Sequence, residues 1–292
     1  MPETNQLDQI PQALSGLSNL PAHYKALLCD IWGVLHNGRE AFPNIAETMR
    51  RFRTERGPIV LLSNAPRPGS TVEKRLQELG IDRDCYDDIL TSGDAARLLL
   101  VERATEGKIC HHVGPDKDLD LIEGLDAQFS DLEGSDFILL SGLYDDSTET
   151  PDDYAELISA WRHKNISMIC ANPDRTVQVG DQLIYCAGAV AEVFEQKGGD
   201  VLWLGKPNAI VYELALKKLA ALGINKDQLL AVGDGPKTDV KGANLADINV
   251  LFISGGLAST EENFDHQSMR GIRHFLAQEQ GHAHFAMKHL VW

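Results

Sequence analysis

Polar and charged residues that could do chemistry follow several of the apolar runs in this sequence. The runs are KALLCDI, PIVLLSN, DVLWLG and QLLAVG. The residues at or just beyond their ends are one carboxylate, a hydroxyl with an amide, one lysine and two further carboxylates: Asp30, Ser63, Asn64, Lys206, Asp234 and Asp239. Repetition of this pattern at four separate runs indicates one shared site rather than four unrelated polar ends.

This set of side chains suits a metal ion and a phosphate. Three carboxylates in one cleft repel one another unless a cation joins them. Oxygen ligands, with no histidine or cysteine at these ends, are typical of a hard ion, so the sequence predicts Mg²⁺. Lys206 with Mg²⁺ suits a phosphate, and Ser63 and Asn64 add hydrogen-bond donors for its oxygens. An aspartate beside such a phosphate can attack it and form an aspartyl phosphate.

Strands and helices that alternate along the chain position these residues. The four apolar runs and INVLFISGG are predicted as strands, while NIAETMRRFRTERG and GSTVEKRLQELGI are predicted as helices that stop at a glycine. This alternation predicts parallel βαβ units and a doubly wound sheet. In such sheets ligands bind outside the carboxyl ends of the strands, which is where the polar set lies.

The middle of the chain has an alternation of its own. KICHHVG, DFILLSGL, NISMICAN and DQLIYCAG are predicted strands, with PDDYAELISAWRHK and VAEVFEQKGG as helices. We therefore expect an α/β protein with a Rossmann-like core domain of residues 22–90 plus 196–292. An α/β cap domain of residues 91–195 is inserted into it, and residues 1–21 form an N-terminal arm.

Composition narrows the range of partners. The net charge of −16 argues against nucleic acid and anionic membrane surfaces. The chain has no predicted signal peptide and no apolar run of the ~18 residues that a membrane span needs, so a cytoplasmic location is expected. The five cysteines form no C-x-x-C pair and are expected as buried free thiols. The tail QGHAHFAMKH is predicted as a surface segment.

Four short motifs in a fixed order resemble the haloacid dehalogenase-like hydrolase superfamily. They are D-x-x-G-V at 30–34, S-N at 63–64, G-K-P at 205–207 and G-D-x-x-x-T-D at 233–239. The long insert between the second and third motifs resembles the class IIA branch, which includes sugar and p-nitrophenyl phosphatases and carries a large α/β cap of type C2. The resemblance covers about residues 22–255.

The resemblance implies a role for each motif residue. Asp30 matches the nucleophile and a metal ligand, and Trp32 occupies the position whose backbone carbonyl coordinates the metal. Ser63 and Asn64 match the phosphate-binding motif, and Lys206 matches the lysine that offsets the charge of nucleophile and phosphate. Asp234 and Asp239 match the remaining acidic metal residues. The segment CANPDRTV resembles the cap loop that faces the active site, which makes Asn172 and Asp174 candidate substrate contacts.

Position 32 departs from the family pattern. Phosphatases of this family usually carry a second aspartate there, which protonates the leaving oxygen and then activates water; tryptophan does neither. Loss of a general acid/base costs on the order of 10²–10⁴ in rate, most for an alkoxide and least for an acyl or aryl leaving group. His36, Asp145, Asp146 and Asp174 are candidate replacements, and the sequence does not choose among them.

The sequence thus predicts a Mg²⁺-dependent phosphatase that acts on a small phosphorylated metabolite, such as a sugar phosphate or nucleotide, through an aspartyl phosphate at Asp30. The alternative is a metal- and phosphate-binding protein of the same fold that has lost hydrolysis and acts as a sensor or interaction partner, and Trp32 favours it. Dehalogenation fits less well, because it leaves the acidic cluster unexplained. The sequence leaves open whether the protein forms a homo-oligomer.

Overall fold

The computed structural model describes residues 7, 9–179, 182–256, 264–265 and 268–292. The chain divides into two compact units. Unit 1 comprises Met1–Ser63, Glu73–Leu90 and Lys206–Trp292, and unit 2 comprises Asn64–Val72 and Thr91–Gly205. Residues 1–6 and 8 of the predicted arm lie outside the described residues.

The described elements follow one another in the predicted alternating fashion. The strands are β1 (Gln12–Ala13), β2 (Ala26–Asp30), β3 (Ile59–Ser63), β4 (Asp88–Thr91), β5 (Ile109–Val113), β6 (Gln128–Phe129), β7 (Phe137–Leu140), β8 (Ser167–Cys170), β9 (Thr176–Val179), β10 (Gln182–Tyr185), β11 (Val201–Trp203), β12 (Leu229–Gly233), β13 (Asn249–Ile253) and β14 (Phe285–Met287). The α-helices are α1 (Ile45–Glu55), α2 (Gly69–Glu78), α3 (Ser92–Thr105), α4 (Ala155–Lys164), α5 (Ala187–Gln196), α6 (Ala209–Ala221), α7 (Lys241–Leu245) and α8 (Met269–Gln278).

The larger sheet contains seven described strands in the order β1-β14-β13-β12-β2-β3-β4. The pairings from β1 through to β3 are parallel. Every residue of β2, β3 and β12 is buried, as expected for central parallel strands whose two faces are both covered. This burial explains why these strands are continuous apolar runs up to the polar residue at or just after their end.

Helix α1 shows how a flanking helix is built. Its apolar residues recur at helical spacing, so that Ile45, Met49 and Phe52 are buried on one face. The chain leaves the helix at Gly57, where φ is +154° and an added Cβ would clash with the carbonyl of Lys25. A glycine is required there because the backbone passes too close for any side chain.

Unit 2 has its own parallel sheet of five described strands, in the order β11-β8-β7-β5-β6. Strands β9 and β10 form a separate antiparallel hairpin. The apolar core of the unit includes Trp161 of α4 and Phe194 of α5, whose rings meet edge to face at 6.0 Å.

The predicted fold class, a Rossmann-like α/β protein, is confirmed, but two local predictions are wrong. DVLWLG was assigned to the core sheet, whereas Val201–Trp203 pairs with β8 in the sheet of unit 2. A three-residue apolar strand carries no signal for which of two parallel sheets accepts it. The tail contains the buried strand Phe285–Met287, paired with β13 and β1, rather than a surface segment.

The predicted domain bounds, 22–90 plus 196–292 for the core and 91–195 for the cap, stay a prediction. Val201–Trp203 falls in unit 2, and unit 1 resumes at Lys206. All five cysteines are buried and free, as expected. Among the described residues, no helix combines the length and the apolar character needed to cross a membrane.

Candidate active site

The carboxyl ends of two adjacent strands in unit 1 bring two aspartates to the same edge of the sheet. Asp30 is the last residue of β2, and Asp234 directly follows Gly233, the last residue of β12. The register pairs Val232 with Cys29, so the two strands end at the same level. Asp30 and Asp234 are only 7% and 3% exposed. Apolar strands therefore deliver two carboxylates to the edge where parallel sheets bind ligands.

A third carboxylate comes from the π-helix Pro236–Val240, which follows β12. It belongs to Asp239, which is buried and whose Oδ2 accepts a hydrogen bond from the Gly235 N–H at 3.0 Å. One oxygen from each of Asp30, Asp234 and Asp239 lies within 4.8 Å of the other two. The predicted acidic cluster is therefore assembled within unit 1.

The ammonium group of Lys206 lies among these carboxylates. Its Nζ contacts Oδ1 of Asp30, lies 2.8 Å from Oδ1 of Asp239 and donates to the Leu62 carbonyl at 3.2 Å. Burial acts to lower the pKa of Lys206, but the negative charges of Asp239 and Asp30 outweigh it and raise that pKa well above its usual value. Lys206 is therefore a fixed cation in contact with two of the three carboxylates.

The balance of charge in the cluster favours an added cation. Burial, and then the neighbouring charge of Asp239, raise the pKa of Asp30 well above its usual value, while Lys206 opposes them. If all three carboxylates were ionised, they and the one ammonium group would carry two net negative charges in a site shielded from water, and an added cation would offset that charge. Carboxylate oxygens this close together are suitable ligands for a hard divalent ion such as Mg²⁺. The residues present therefore fit the predicted metal.

Two glycines let the backbone approach Asp234 closely. Gly33 has a φ of +84°, and a Cβ added to it would clash with the carboxylate of Asp234. A Cβ added to Gly256 would clash with the same side chain. The two glycines therefore confine the position of this carboxylate, which favours a defined set of metal ligands over a mobile surface acid.

The side chain of Trp32 is held in the loop that follows β2. A Cβ on Gly38, whose φ is +88°, would clash with the indole, so the ring lies directly against the Gly38 backbone. The ring of His36 meets the indole edge to face at 5.1 Å, and Trp32 and His36 also form an isolated β-bridge. The half-buried indole is thus fixed two residues after Asp30. The role assigned to the Trp32 carbonyl as a metal ligand stays a prediction.

His36, one of the suggested replacements for the missing acid, is held as a neutral ring. Its Nδ1 accepts a hydrogen bond from the Gly38 N–H at 3.0 Å. Burial, reinforced by the positive charge of Arg75, lowers the pKa of His36 to about 4. At neutral pH the imidazole therefore carries no extra proton, and it is a poor general acid.

The remaining motif residues divide between the two units. Ser63 ends β3 of unit 1 and is buried. Asn64 belongs to unit 2, where its Nδ2 donates to Oδ1 of Asp174 at 2.8 Å. Oδ1 of Asn172 accepts from the Asp174 N–H at 3.1 Å. The structure therefore brings Asn64, Asn172 and Asp174 together, while their roles toward phosphate and substrate stay predictions.

Two further acid candidates are engaged within their own segment of unit 2. Asp145 accepts hydrogen bonds from the Ser147 N–H at 3.0 Å and the Thr148 hydroxyl at 2.8 Å. Asp146 is paired with Lys117. These contacts give both carboxylates structural partners, and neither is singled out as a replacement for the missing acid.

Sequence reasoning missed several groups that shape the site. The Leu62 carbonyl accepts from Lys206, and the Tyr212 hydroxyl donates to the Asp239 carbonyl at 3.3 Å. The hydrogen bond between Asn64 and Asp174 joins residues 110 positions apart. The Leu62 carbonyl could have been found from sequence, because it lies at the same strand end as Ser63. The spacing of the motifs contains nothing that points to Tyr212 or to the hydrogen bond between Asn64 and Asp174.

Fold and site together define an α/β protein with an acidic, lysine-containing centre at the carboxyl edge of a parallel sheet. The family described as haloacid dehalogenase-like hydrolase matches residues 27–128, and a second model of HAD-like hydrolases matches residues 203–273. A haloacid dehalogenase-like hydrolase from Brucella suis 1330 is 40% identical, with 80% of this chain and 90% of that chain covered and a TM-score of 0.76. The chain belongs to the haloacid dehalogenase-like hydrolase family.

More distant relatives agree with the class IIA branch. Ribonucleotide monophosphatase NagD of Escherichia coli K12 is 24% identical over 82% of this chain and 90% of its own length. A possible sugar phosphatase from Cytophaga hutchinsonii shares the fold with a TM-score of 0.78 at 19% identity, covering 95% of this chain and 98% of that one. The predicted family, branch and enzyme class, a phosphoric monoester hydrolase, are confirmed.

Proposed function

We propose that the protein is a Mg²⁺-dependent phosphatase that hydrolyses a small phosphorylated metabolite through an aspartyl phosphate at Asp30. One observation carries the proposal: the buried oxygens of Asp30, Asp234 and Asp239 lie within 4.8 Å of one another, with Lys206 bridging two of them. Relatives named as a ribonucleotide monophosphatase and an acid sugar phosphatase support the class of substrate.

Asp30 supplies the nucleophile. Lys206 contacts its Oδ1, so Oδ2 is the oxygen that we assign to the attack on phosphorus. The contact with an ammonium group favours the carboxylate form against the opposing effect of burial. The new bond joins Oδ2 to phosphorus, the bond from phosphorus to the leaving oxygen breaks, and its electron pair departs with that oxygen.

Lys206 and Ser63 are assigned to the phosphoryl group. The fixed ammonium offsets charge on the transferring oxygens without reorganising, because the Leu62 carbonyl and two carboxylates already hold it in place. Ser63, at the end of the neighbouring strand, can donate a hydrogen bond from its hydroxyl to a phosphoryl oxygen. Asp30, Asp234 and Asp239 would hold Mg²⁺, which supplies further neutralisation of phosphate charge.

Water completes the cycle. It attacks the phosphorus of the aspartyl phosphate, the bond to Oδ2 breaks and Asp30 regains its carboxylate. The products are dihydrogen phosphate and the free enzyme, so the atoms and the total charge are conserved. Burial of Asp30 and of its partners restricts access to a small number of water molecules.

The rival function is that of a phosphate- and cation-binding protein without useful hydrolysis. The side chain of Trp32 favours it, because an indole is a hydrogen-bond donor that does not exchange a proton at neutral pH. A site kept only for binding would still contain the acidic cluster and Lys206. The two functions therefore predict different rates of phosphate hydrolysis but the same affinity of the site for the metal ion.

Measuring substrate turnover by the purified protein distinguishes the phosphatase from the binding protein. With Mg²⁺, we expect hydrolysis of at least one member of a panel of p-nitrophenyl phosphate, acetyl phosphate, sugar phosphates and nucleoside monophosphates. Asp30→Asn should lower kcat by at least about 10³-fold, as expected for a lost nucleophile. Asp247→Asn is the matched control, because that side chain is 92% exposed and only paired with Lys226. Equal rates in the two variants would contradict the phosphatase function.

A further inference from the structure

Tyr212 connects the segment that carries Lys206 to the segment that carries Asp239. It lies in α6, six residues after Lys206, and it is only 2% exposed. Its hydroxyl donates to the Asp239 carbonyl at 3.3 Å, while Nζ of Lys206 lies 2.8 Å from Oδ1 of the same aspartate. One short stretch of chain therefore holds Asp239 at two points, its backbone and its carboxylate.

Close packing against α7 fixes the ring of Tyr212. A Cβ added to Gly242, the second residue of α7, would clash with the hydroxyl oxygen and the ring of Tyr212, so the ring lies directly on the helix backbone. Helix α7 directly follows the π-helix Pro236–Val240, which contains Asp239. The hydroxyl therefore meets the Asp239 carbonyl from a ring that has no room to move towards α7.

The π-helix is an unusual turn for such a residue. Its hydrogen bonds join residues five apart, as between the Val240 N–H and the Gly235 carbonyl at 3.1 Å. Turns of this kind are rare and are found frequently at functional sites. Pro236, its first residue, has no N–H to contribute. Tyr212 therefore adds a hydrogen bond from outside the turn, at the residue that supplies the carboxylate.

The side chain of Asp239 has little freedom of its own. A Cβ added to Gly233 would clash with Cβ and Cγ of Asp239, so the side chain lies directly against the Gly233 backbone. Its Oδ2 accepts from the Gly235 N–H at 3.0 Å. The carboxylate therefore follows any shift of the backbone at residue 239, because rotation of the side chain would bring it against Gly233 or break the hydrogen bond from Gly235.

We propose that Tyr212 is a positioning residue that, through Asp239, sets the preference of the acidic cluster for Mg²⁺ over Ca²⁺. The inference rests on the proposed function, because it takes Asp30, Asp234 and Asp239 as the magnesium ligands. Mg²⁺ requires nearly ideal octahedral geometry at about 2.0–2.1 Å, whereas Ca²⁺ accepts irregular ligand sets at about 2.3–2.6 Å. A fixed Asp239 therefore favours the smaller ion, and a displaced one weakens Mg²⁺ binding more than Ca²⁺ binding.

Tyr212→Phe tests the inference, because it removes the hydroxyl and keeps the ring on Gly242. Isothermal titration of the protein with MgCl₂ and, separately, with CaCl₂ measures both affinities in the absence of substrate. We expect the Kd for Mg²⁺ to rise about tenfold, as is usual when a metal ligand loses a supporting group, and the Kd for Ca²⁺ to rise less than about threefold. An unchanged ratio of the two Kd values would overturn the inference, since a tyrosine that only stabilises the fold leaves that ratio as it is.

Tyr154→Phe is the matched control. Tyr154 is 1% exposed and lies in unit 2, and its hydroxyl donates to Glu149 at 2.8 Å and accepts from the Tyr144 N–H at 2.7 Å. Its loss should lower stability and leave both Kd values unchanged. If Tyr212→Phe does not fold, Gly242→Ala decides in its place, because the added Cβ displaces the ring of Tyr212 and should lower the preference for Mg²⁺.

The inference and the proposed function fail in different ways. If the wild-type protein binds no Mg²⁺, both fail together. If it binds Mg²⁺ and Asp30→Asn abolishes hydrolysis, but Tyr212→Phe keeps the wild-type ratio of Kd values, the inference alone fails. If Asp30→Asn retains turnover while Tyr212→Phe lowers the preference for Mg²⁺, the assignment of the nucleophile fails and the inference stands.

Discussion

Lys206 and Asp239 form a buried ion pair in which Nζ lies 2.8 Å from Oδ1, with side chains only 4% and 8% exposed. The same Nζ contacts Asp30. Removing one partner of a buried pair leaves a charge without compensation, which costs far more than loss of a pair on the surface. This relationship therefore couples the chemistry of the site to the stability of unit 1.

Lys206→Met should destabilise the protein strongly in the absence of metal. We expect a loss of about 3–5 kcal/mol in the free energy of unfolding, because Asp30 and Asp239 lose their common cation. Urea denaturation in EDTA measures it. Lys218→Met is the matched control, since the pair of Lys218 with Asp88 is about 40% exposed on both sides and should contribute at most about 1 kcal/mol. Similar losses in the two variants would contradict the account.

Asp234→Asn should weaken Mg²⁺ binding while leaving the fold intact. A cation that binds only the folded protein stabilises it by about 2.7 kcal/mol at one hundred times its Kd, so the wild type should unfold at a higher temperature with Mg²⁺. The variant should show a smaller rise, and isothermal titration calorimetry should show a weaker Kd. Asp247→Asn, at an exposed position, should respond as the wild type does. An unchanged Kd in Asp234→Asn would place the metal elsewhere.

The strand-end residues of the site were predictable from sequence because local patterns determine them. A buried parallel strand reads as an apolar run, and a carboxylate at its end stands out, as Asp30 and Asp234 do. The hydrogen bond between Asn64 and Asp174 was not predictable, because it depends on how distant segments of unit 2 pack. The prediction of the sheet that contains Val201–Trp203 was wrong for a similar reason, since the pairing of this strand with β8 also depends on how distant segments pack.

The loop after β2 shows a further limit of sequence reasoning. Trp32 was recognised as unusual, but its contacts with Gly38 and His36 depend on the left-handed backbone at Gly38 and on the short bridge between residues 32 and 36. Neither follows from hydrophobic periodicity. The sequence suggested His36 as a substitute acid, and only its hydrogen bond from Gly38 shows that the ring is already engaged.

Asp118 in unit 2 should make stability depend on pH. It is 3% exposed and lies 3.4 Å from Arg67, and burial, opposed by Arg67, raises its pKa to about 6. Since this value exceeds the unfolded value of about 3.9, the folded state binds the proton more tightly. The cost of ionising Asp118 is absent below pH ~4, grows between about pH 4 and 6, and is fully present above.

Asp118→Asn removes that cost. Its free energy of unfolding relative to the wild type should rise by roughly 2 to 3 kcal/mol between pH 4 and pH 7. Chemical denaturation at a series of pH values measures the difference. Asp118 lies in the 3₁₀ helix Asp116–Leu121, and the control, Asp116→Asn, changes an exposed residue of that helix and should show no such trend. A difference that is independent of pH in Asp118→Asn would contradict the assignment.

Gly38→Ala should move the indole of Trp32. Both Gly38 and Gly107 have a positive φ, so alanine at either position costs about 1 kcal/mol in backbone strain. A Cβ at Gly38 meets the indole, whereas a Cβ at Gly107 meets nothing within 4 Å. We expect altered tryptophan fluorescence in Gly38→Ala alone. Matching behaviour of the two variants would show that the indole does not lie on Gly38.

The central claim is that Asp30 becomes phosphorylated during turnover, and trapping that species tests it most directly. The protein is mixed with Mg²⁺ and acetyl phosphate, quenched in acid within milliseconds to seconds, digested and analysed by mass spectrometry. The account predicts a phosphoryl group on the peptide that contains Asp30, at the carboxylate of that residue, and its absence from Asp30→Asn. Turnover without a phosphorylated Asp30, or a phosphoryl group on another residue, would contradict it.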